Sequence, residues 1–306
     1  MKIAVMGAGG VGGYFGARLA ADGNDVAFIA RGAHLKAIRD NGLKVLSENG
    51  DALIHPATAT DNPAQIGPVD IVMFCVKLWD TEAAAEQIRP MIGPNTAVVS
   101  FQNGVYAEQK IGEILGPEHV IGGIAVIPAV IEEPGVIRHT GTTASLEFGE
   151  MDNRQSDRVT ALLAACESAG IPARAPEDIE ESLWRKFVML TAFSAATCLC
   201  RSTFGPIRED PQGMELMQAL LSETAAVARA KGVAIADDLH DRLFEGAHSM
   251  PAEAKSSMLQ DLERGNRLEL DYLSGAVVRM GAEHGIDTPA HRVAWQALHP
   301  YVAGAR

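Results

Sequence analysis

Lys2-Ile3-Ala4-Val5-Met6-Gly7-Ala8-Gly9-Gly10-Val11-Gly12 stands near the start of the chain, and a helical pattern carries on from it through Leu19 and Ala20. The first part is a short apolar run of strand length. Gly7 to Gly12 then spell G-x-G-x-x-G, in which each glycine meets a steric demand. Gly7 permits a sharp turn off the strand, Gly9 lets backbone approach a pyrophosphate, and Gly12 lets the helix pack closely on the strand. The helix N-terminus offers free N–H groups and partial positive charge to phosphates. Glycines alone are common in turns; this motif directly follows an apolar run and directly opens a helix. Gly7, Ala8, Gly9, Gly10, Val11 and Gly12 are therefore the expected cradle of a dinucleotide.

A second apolar run, Asp25 to Ala30, ends at Arg31, nineteen residues after Gly12. An acidic residue at this place would favour the ribose hydroxyls of NAD. A guanidinium suits a 2′-phosphate instead, by charge and by planar hydrogen bonding. The expected cofactor is NADP(H), with a solvated loop arginine as the ordinary alternative.

Working outward, 306 residues exceed what one core usually serves, so two domains are expected. Hydrophobic residues at 47% and charged residues at 21% fit a globular protein, and a net charge of −13 without any basic run disfavours nucleic acid and acidic membrane surfaces as partners. The apolar start is too short for a signal peptide, and no long uncharged apolar run reads as a membrane span. Of Cys75, Cys166, Cys198 and Cys200, no two form a C-x-x-C, and the histidines form no H-x-x-x-H. Reduced thiols, no metal and a cytoplasmic location are expected.

Further along, 32–42 looks helical and 43–58 reads as a hairpin-like excursion around Asn49-Gly50. Val69 to Val76 and Thr96 to Phe101 are nearly all apolar, the mark of parallel strands buried on both faces. Further strands are expected at 120–127, 136–148 and 172–175, with helices at 81–92 and 154–169. Strands alternating with helices imply a doubly wound, mostly parallel Rossmann-type sheet with ligands at the carboxyl ends of its strands. Arg31, Lys77 and Asn103 all fall at such ends. Lys77 also reads as a solvated strand-end lysine, and Asn103-Gly104 as a plain turn.

After Pro176 the strand pattern stops. Helices are expected at 178–200, 211–231, 236–247, 257–284 and 288–302, giving an α/β domain over 1–176 and an all-α domain over 177–306. Lys186 sits in a mainly apolar helix, either snorkelling or, if desolvated, a usable proton donor. Ser257, with Gln260 three residues on, looks like the N-cap of a capping box. Glu269 stands among Leu268, Leu270 and Tyr272, where it could pair with a buried cation.

Taken together, GAGGVG, the lysine of Val76-Lys77, Asn103-Gly104, the Leu183-Trp184-Arg185-Lys186 run and SSMLQDLERGNRLELDY (256–272) resemble the ketopantoate reductase family (2-dehydropantoate 2-reductases). The resemblance implies a Rossmann domain joined to a helical domain with the site in the cleft between them, and possession of an NADPH-dependent reduction of a 2-keto acid, 2-dehydropantoate, to a 2-hydroxy acid in pantothenate biosynthesis. It implies Lys186 as general acid, Asn103 holding carbonyl and cofactor, and Glu269 on the cofactor ribose and beside the lysine. Ser257 would bind the substrate carboxylate, Arg31 and Lys77 the cofactor, and a homodimer would form through the helical domain. The family places asparagines one and two turns after the lysine, facing the pantoyl group, and a third before the glycine of the next turn. Here these positions are Leu190, Ser194 and Phe204. Leu190 and Ser194 share a helix face with Lys186, so a more apolar substrate-binding wall is expected, and with it a less polar keto acid or ketone as the alternative substrate. A dehydrogenase of the related two-domain type acting on 3-hydroxy acids or opines is a second alternative, and a non-catalytic NADP-binding regulator a third; a sensor needs neither Lys186 nor Glu269.

Overall fold

The computed structural model describes residues 1–305, and the chain divides into two compact units, Met1–Ile179 and a second that begins at Glu180. In the first, β1 (Lys2–Met6), α1 (Gly10–Ala21), β2 (Asp25–Ile29) and α2 (Gly32–Asn41) follow the opening stretch. Then come β3 (Leu43–Leu46), β4 (Ala52–Ile54), β5 (Thr58–Thr60), β6 (Ile71–Phe74), α3 (Thr81–Ile88), β7 (Ala97–Ser100), α4 (Ala107–Leu115) and β8 (Val120–Val126). The unit closes with β9 (Ala129–Glu133), β10 (Val136–His139), β11 (Ser145–Glu150), α5 (Asp157–Ser168) and β12 (Ala173–Arg174).

Eight strands form one sheet in the order β12-β11-β8-β7-β6-β1-β2-β5. Every pairing from β8 across to β5 is parallel, and β11 runs antiparallel to β8. This is the doubly wound sheet that the alternating pattern calls for. Every residue of β6 and β7 is buried, as strands covered on both faces must be.

A second sheet, β4-β3-β10-β9, is a departure from the expected single sheet. The hairpin around Asn49-Gly50 exists as β3–β4, but it pairs through β3 with the distant β10. Helix α1 packs against both sheets, which explains its run of glycines. A Cβ on Gly12 would stand 2.3 Å from the Gly7 carbonyl oxygen, and one on Gly10 2.1 Å from that of Ala129. On Gly13 it would meet the Ile137 side chain at 2.8 Å. No side chain fits at these distances.

The second unit is helical: α6 (Ile179–Cys200), α7 (Phe204–Glu209), α8 (Pro211–Ala230), α9 (Leu239–Ala247), α10 (Ser257–Glu263), α11 (Ser274–His284) and α12 (Pro289–Leu298). The expected single helix over 257–284 is broken. Gly265 takes φ +67°, Asn266 bonds back to Asp261, and a short 3-10 turn at Leu270–Tyr272 precedes α11. Helix α7 has only six residues, too few to show a period in sequence.

Helix α6 is long and apolar enough to cross a membrane by length and composition, yet 61% of its most apolar window is buried within the molecule. It is a core helix. Thr191 of α6 meets Thr224 of α8 at 3.0 Å, and Thr224 meets buried His291 of α12 at 2.8 Å. The other ring nitrogen of His291 lies 3.2 Å from Ser274 at the start of α11. Four helices thus share one buried polar chain, each member supplied with a partner as burial demands.

Candidate active site

The glycine turn in the first unit is built by what surrounds β1. Gly7 takes φ +99°, a left-handed conformation that favours glycine. The N–H groups of Gly7 and Ala8 both reach the Ile29 carbonyl, at 3.2 and 3.1 Å. Those two N–H groups are therefore spent on joining the turn to β2. The N–H groups of Gly9, Gly10, Val11 and Gly12 have no protein acceptor among the described residues. They make up the open first turn of α1. Beyond Gly9 nothing lies within 4 Å of where a Cβ would stand. Open N–H groups and a bare backbone surface are what a pyrophosphate needs, so the chain fits a dinucleotide here. Gly10 carries a packing duty as well, against Ala129.

Arg31 follows β2 and is the N-cap of α2, without a side-chain cap. Its side chain is exposed and has no ion-pair partner among the described residues. Lys77 follows β6, exposed, with Nζ 5.7 Å from the centre of the Trp79 ring. Asn103 follows β7 and is half-buried, next to Gly104 at φ +89°.

Gln102, which sequence reasoning passed over, braces this edge. Its Nε2 donates to the Val76 carbonyl at 3.0 Å and to the Thr81 hydroxyl at 2.9 Å. The Thr81 proton is committed to the Leu78 carbonyl at 2.7 Å, so that hydroxyl can only accept from Gln102. The amide therefore ties the ends of β6 and β7 together and holds the backbone before Asn103. Its signal in the sequence was position alone, one residue before Asn103. His34 was missed too; its ring nitrogen contacts the Ala8 carbonyl inside the glycine turn. The thiol of Cys75, which neighbours Gly7 and Gly12, is raised by burial and stays protonated.

In the second unit, Lys186 and Leu190 lie one turn apart on α6, both half-exposed. Ser194, a further turn on, is fully buried, and its hydroxyl has no protein partner among the described residues. Phe204 is fully buried against Phe193, ring centres 5.5 Å apart, so it serves the packing of this unit. Glu269 is 5% exposed at the entry to the 3-10 turn, its carbonyl accepting from Tyr272 and Leu273.

The expected N-cap at Ser257 is corrected by one residue. Ser256 caps α10, its Oγ accepting from the Leu259 N–H at 3.0 Å and meeting the Thr197 hydroxyl of α6 at 2.8 Å. Burial decides between the adjacent serines: Ser256 is 3% exposed, whereas Ser257 faces outward as the first helical residue. The correction leaves the Ser257 hydroxyl without a capping duty.

Comparison with known proteins gives a consistent result. A family model described as "Ketopantoate reductase PanE/ApbA" matches residues 3–153, and its C-terminal counterpart matches 178–302. A 2-dehydropantoate 2-reductase of Mesorhizobium japonicum is 36% identical over 92% of this chain and 91% of its own. An uncharacterized oxidoreductase of Bacillus subtilis, YkpB, is 30% identical over 99% of both chains. The crystal structure of 2-dehydropantoate 2-reductase from Geobacter metallireducens superposes with a TM-score of 0.91 at 32% identity, covering 98% of this chain and 99% of that one.

Proposed function

This chain belongs to the ketopantoate reductase family and is an oxidoreductase of the CH–OH class, and on that premise we propose that it reduces a 2-keto acid to a 2-hydroxy acid with NADPH, 2-dehydropantoate being the foremost substrate. The observation that carries the cofactor half is the open first turn of α1 behind Gly9. The residues Gly9 to Gly12 would hold the pyrophosphate, and Arg31 with the uncapped start of α2 would hold a 2′-phosphate. When bound, the nicotinamide supplies a hydride.

Each remaining step belongs to side chains. Lys186 hydrogen-bonds the ketone oxygen through its ammonium and gives up a proton as negative charge develops there. Asn103 holds the same carbonyl and the cofactor. Lys77 contacts the cofactor. Glu269, almost fully buried, contacts the ribose and orients the lysine. Ser257, outward-facing at the start of α10, takes the substrate carboxylate. Most cofactor contacts thus fall to the N-terminal unit, and the proton and the substrate carboxylate to the helical unit, in a cytoplasmic biosynthetic enzyme.

A second reading of the substrate rests on Leu190 and Ser194. A half-exposed leucine one turn from Lys186 offers no hydrogen bond to a substrate hydroxyl, and Ser194 is fully buried. Such a wall suits a keto acid with an apolar side chain. NADPH oxidation across a panel of 2-keto acids with and without side-chain hydroxyls tests both readings. The primary reading expects 2-dehydropantoate to give the highest kcat/KM; a branched apolar keto acid turning over faster would replace it with the second. Absence of turnover with every member, despite NADPH binding, would defeat both and favour a regulator.

A further inference from the structure

In the first unit the His34 ring stands between two backbone groups. Its Nε2 lies 2.8 Å from the Ala8 carbonyl oxygen, and the Gly135 N–H meets its Nδ1 at 3.0 Å. A carbonyl can only accept and an amide N–H can only donate. Nδ1 is therefore bare, Nε2 carries the hydrogen, and the ring is neutral in one tautomer. The bridge joins three places: the first turn of α2, three residues after Arg31; the turn between β9 and β10; and the middle of the glycine motif.

Its consequence lies in the Ala8–Gly9 peptide. That bond is trans, so its carbonyl and its N–H point in opposite directions. Holding the Ala8 oxygen on His34 turns the Gly9 N–H away from α2. Gly9 is the first residue of the turn whose N–H has no protein acceptor, and the space beside it is open to 4 Å. The Gly7 and Ala8 N–H groups, bonded to Ile29, anchor the near side of the turn and leave this plane for His34 to set. The same bond occupies a carbonyl oxygen that would repel a phosphate if it swung outward.

We infer that His34 is a positioning residue of the dinucleotide site, orienting the Ala8–Gly9 peptide so that the Gly9 N–H is presented to the pyrophosphate. The inference rests on the reading of the glycine turn as a phosphate cradle.

Titration of NADPH fluorescence against wild type, His34→Asn and His34→Gln tests it without recourse to turnover. An asparagine oxygen stands near the place of Nδ1 and keeps an acceptor for Gly135, but no donor reaches Ala8. A glutamine nitrogen stands near the place of Nε2 and restores that donor. His34→Asn is expected to raise the Kd and the KM for NADPH about tenfold, the equivalent of one hydrogen bond. Its kcat should change far less than its KM, and its Tm should match that of His34→Gln to within about 2 °C. His34→Gln is expected to bind within about threefold of wild type. Wild-type affinity in His34→Asn would overturn the inference, as would equal losses in both variants that follow their Tm. Failure of wild type to bind either NADPH or NADH would overturn the dinucleotide reading itself, and the inference with it.

Discussion

Arg31 is a single side chain whose identity bears on the cofactor. It caps α2 without bonding to it and has no ion-pair partner among the described residues, so its charge is available to a ligand. Arg31→Ala is expected to raise the Kd for NADPH by about ten- to a hundredfold, as loss of a charge-assisted hydrogen bond would. The Kd for NADH should hardly change, and equal losses for the two cofactors in parallel titrations would defeat the assignment to a 2′-phosphate. At Leu190 the expected outcome concerns selectivity. Leu190→Asn should raise kcat/KM for hydroxylated 2-keto acids relative to apolar ones by about tenfold, within the range a single hydrogen-bonding group commands; an unchanged ratio would remove Leu190 from the substrate wall. The place of Arg31 just after β2 was legible in sequence because strand length fixes where β2 ends. His34 was not, because its role depends on Gly135, about a hundred residues away, which no local pattern reports.

Among the elements, the strand–turn–helix–strand at the N-terminus was legible throughout, since a short continuous apolar run gives way to helical spacing across a glycine turn and a second apolar run follows. The region 257–284 was misread for an equally physical reason. Apolar residues keep helical spacing through it, but the left-handed Gly265 and the bonds from Asn266 to Asp261 end α10 early. Adjacent serines could each have capped α10, and only burial against α6 selects Ser256. Ser256→Ala should therefore lower the free energy of unfolding by about 1–2 kcal/mol, a lost cap together with a lost hydrogen bond to the buried Thr197 hydroxyl, which keeps its bond to the Phe193 carbonyl. Ser257→Ala should stay within about 0.5 kcal/mol, as exposed positions do. Denaturant unfolding of the two variants makes the comparison, and the reverse order would return the cap to Ser257. A second element-scale expectation concerns Arg158 on α5, which holds the Glu150 carboxylate at the end of β11 by two bonds of 2.6 Å. Glu150 is only 3% exposed and would keep only Arg154, at 3.7 Å, as a cationic partner, so Arg158→Ala should cost about 1–3 kcal/mol through loss of its two charge-assisted bonds; a loss under about 0.5 kcal/mol in the same measurement would show that Arg154 and water replace it.

For the molecule as a whole, the change from alternating strands to helices near residue 176 was visible because the two periods differ. The four-stranded sheet was not visible, since β3 pairs with a strand about ninety residues later. The polar chain that holds four helices of the second unit together was hidden for the same reason. It carries a pH consequence. Burial pushes the His291 ring down from 6.5 to about 4. The unfolded chain therefore takes up a proton near pH 6.5 that the folded chain refuses until about pH 4. The stability that neutral His291 secures is complete above pH 6.5 and is lost as the pH falls toward 4. NMR titration of the folded protein should find this ring neutral down to about pH 4, and a midpoint near 6.5 would contradict it. The proposed chemistry is the reduction of a 2-keto acid by NADPH with Lys186 giving the proton. The most direct measurement is NADPH oxidation by 2-dehydropantoate at saturating cofactor, wild type beside Lys186→Ala. The expected result is steady turnover in wild type and a kcat lower by about 10²–10⁴-fold in the variant, with NADPH still bound. Full activity in Lys186→Ala would rule out Lys186 as the proton donor.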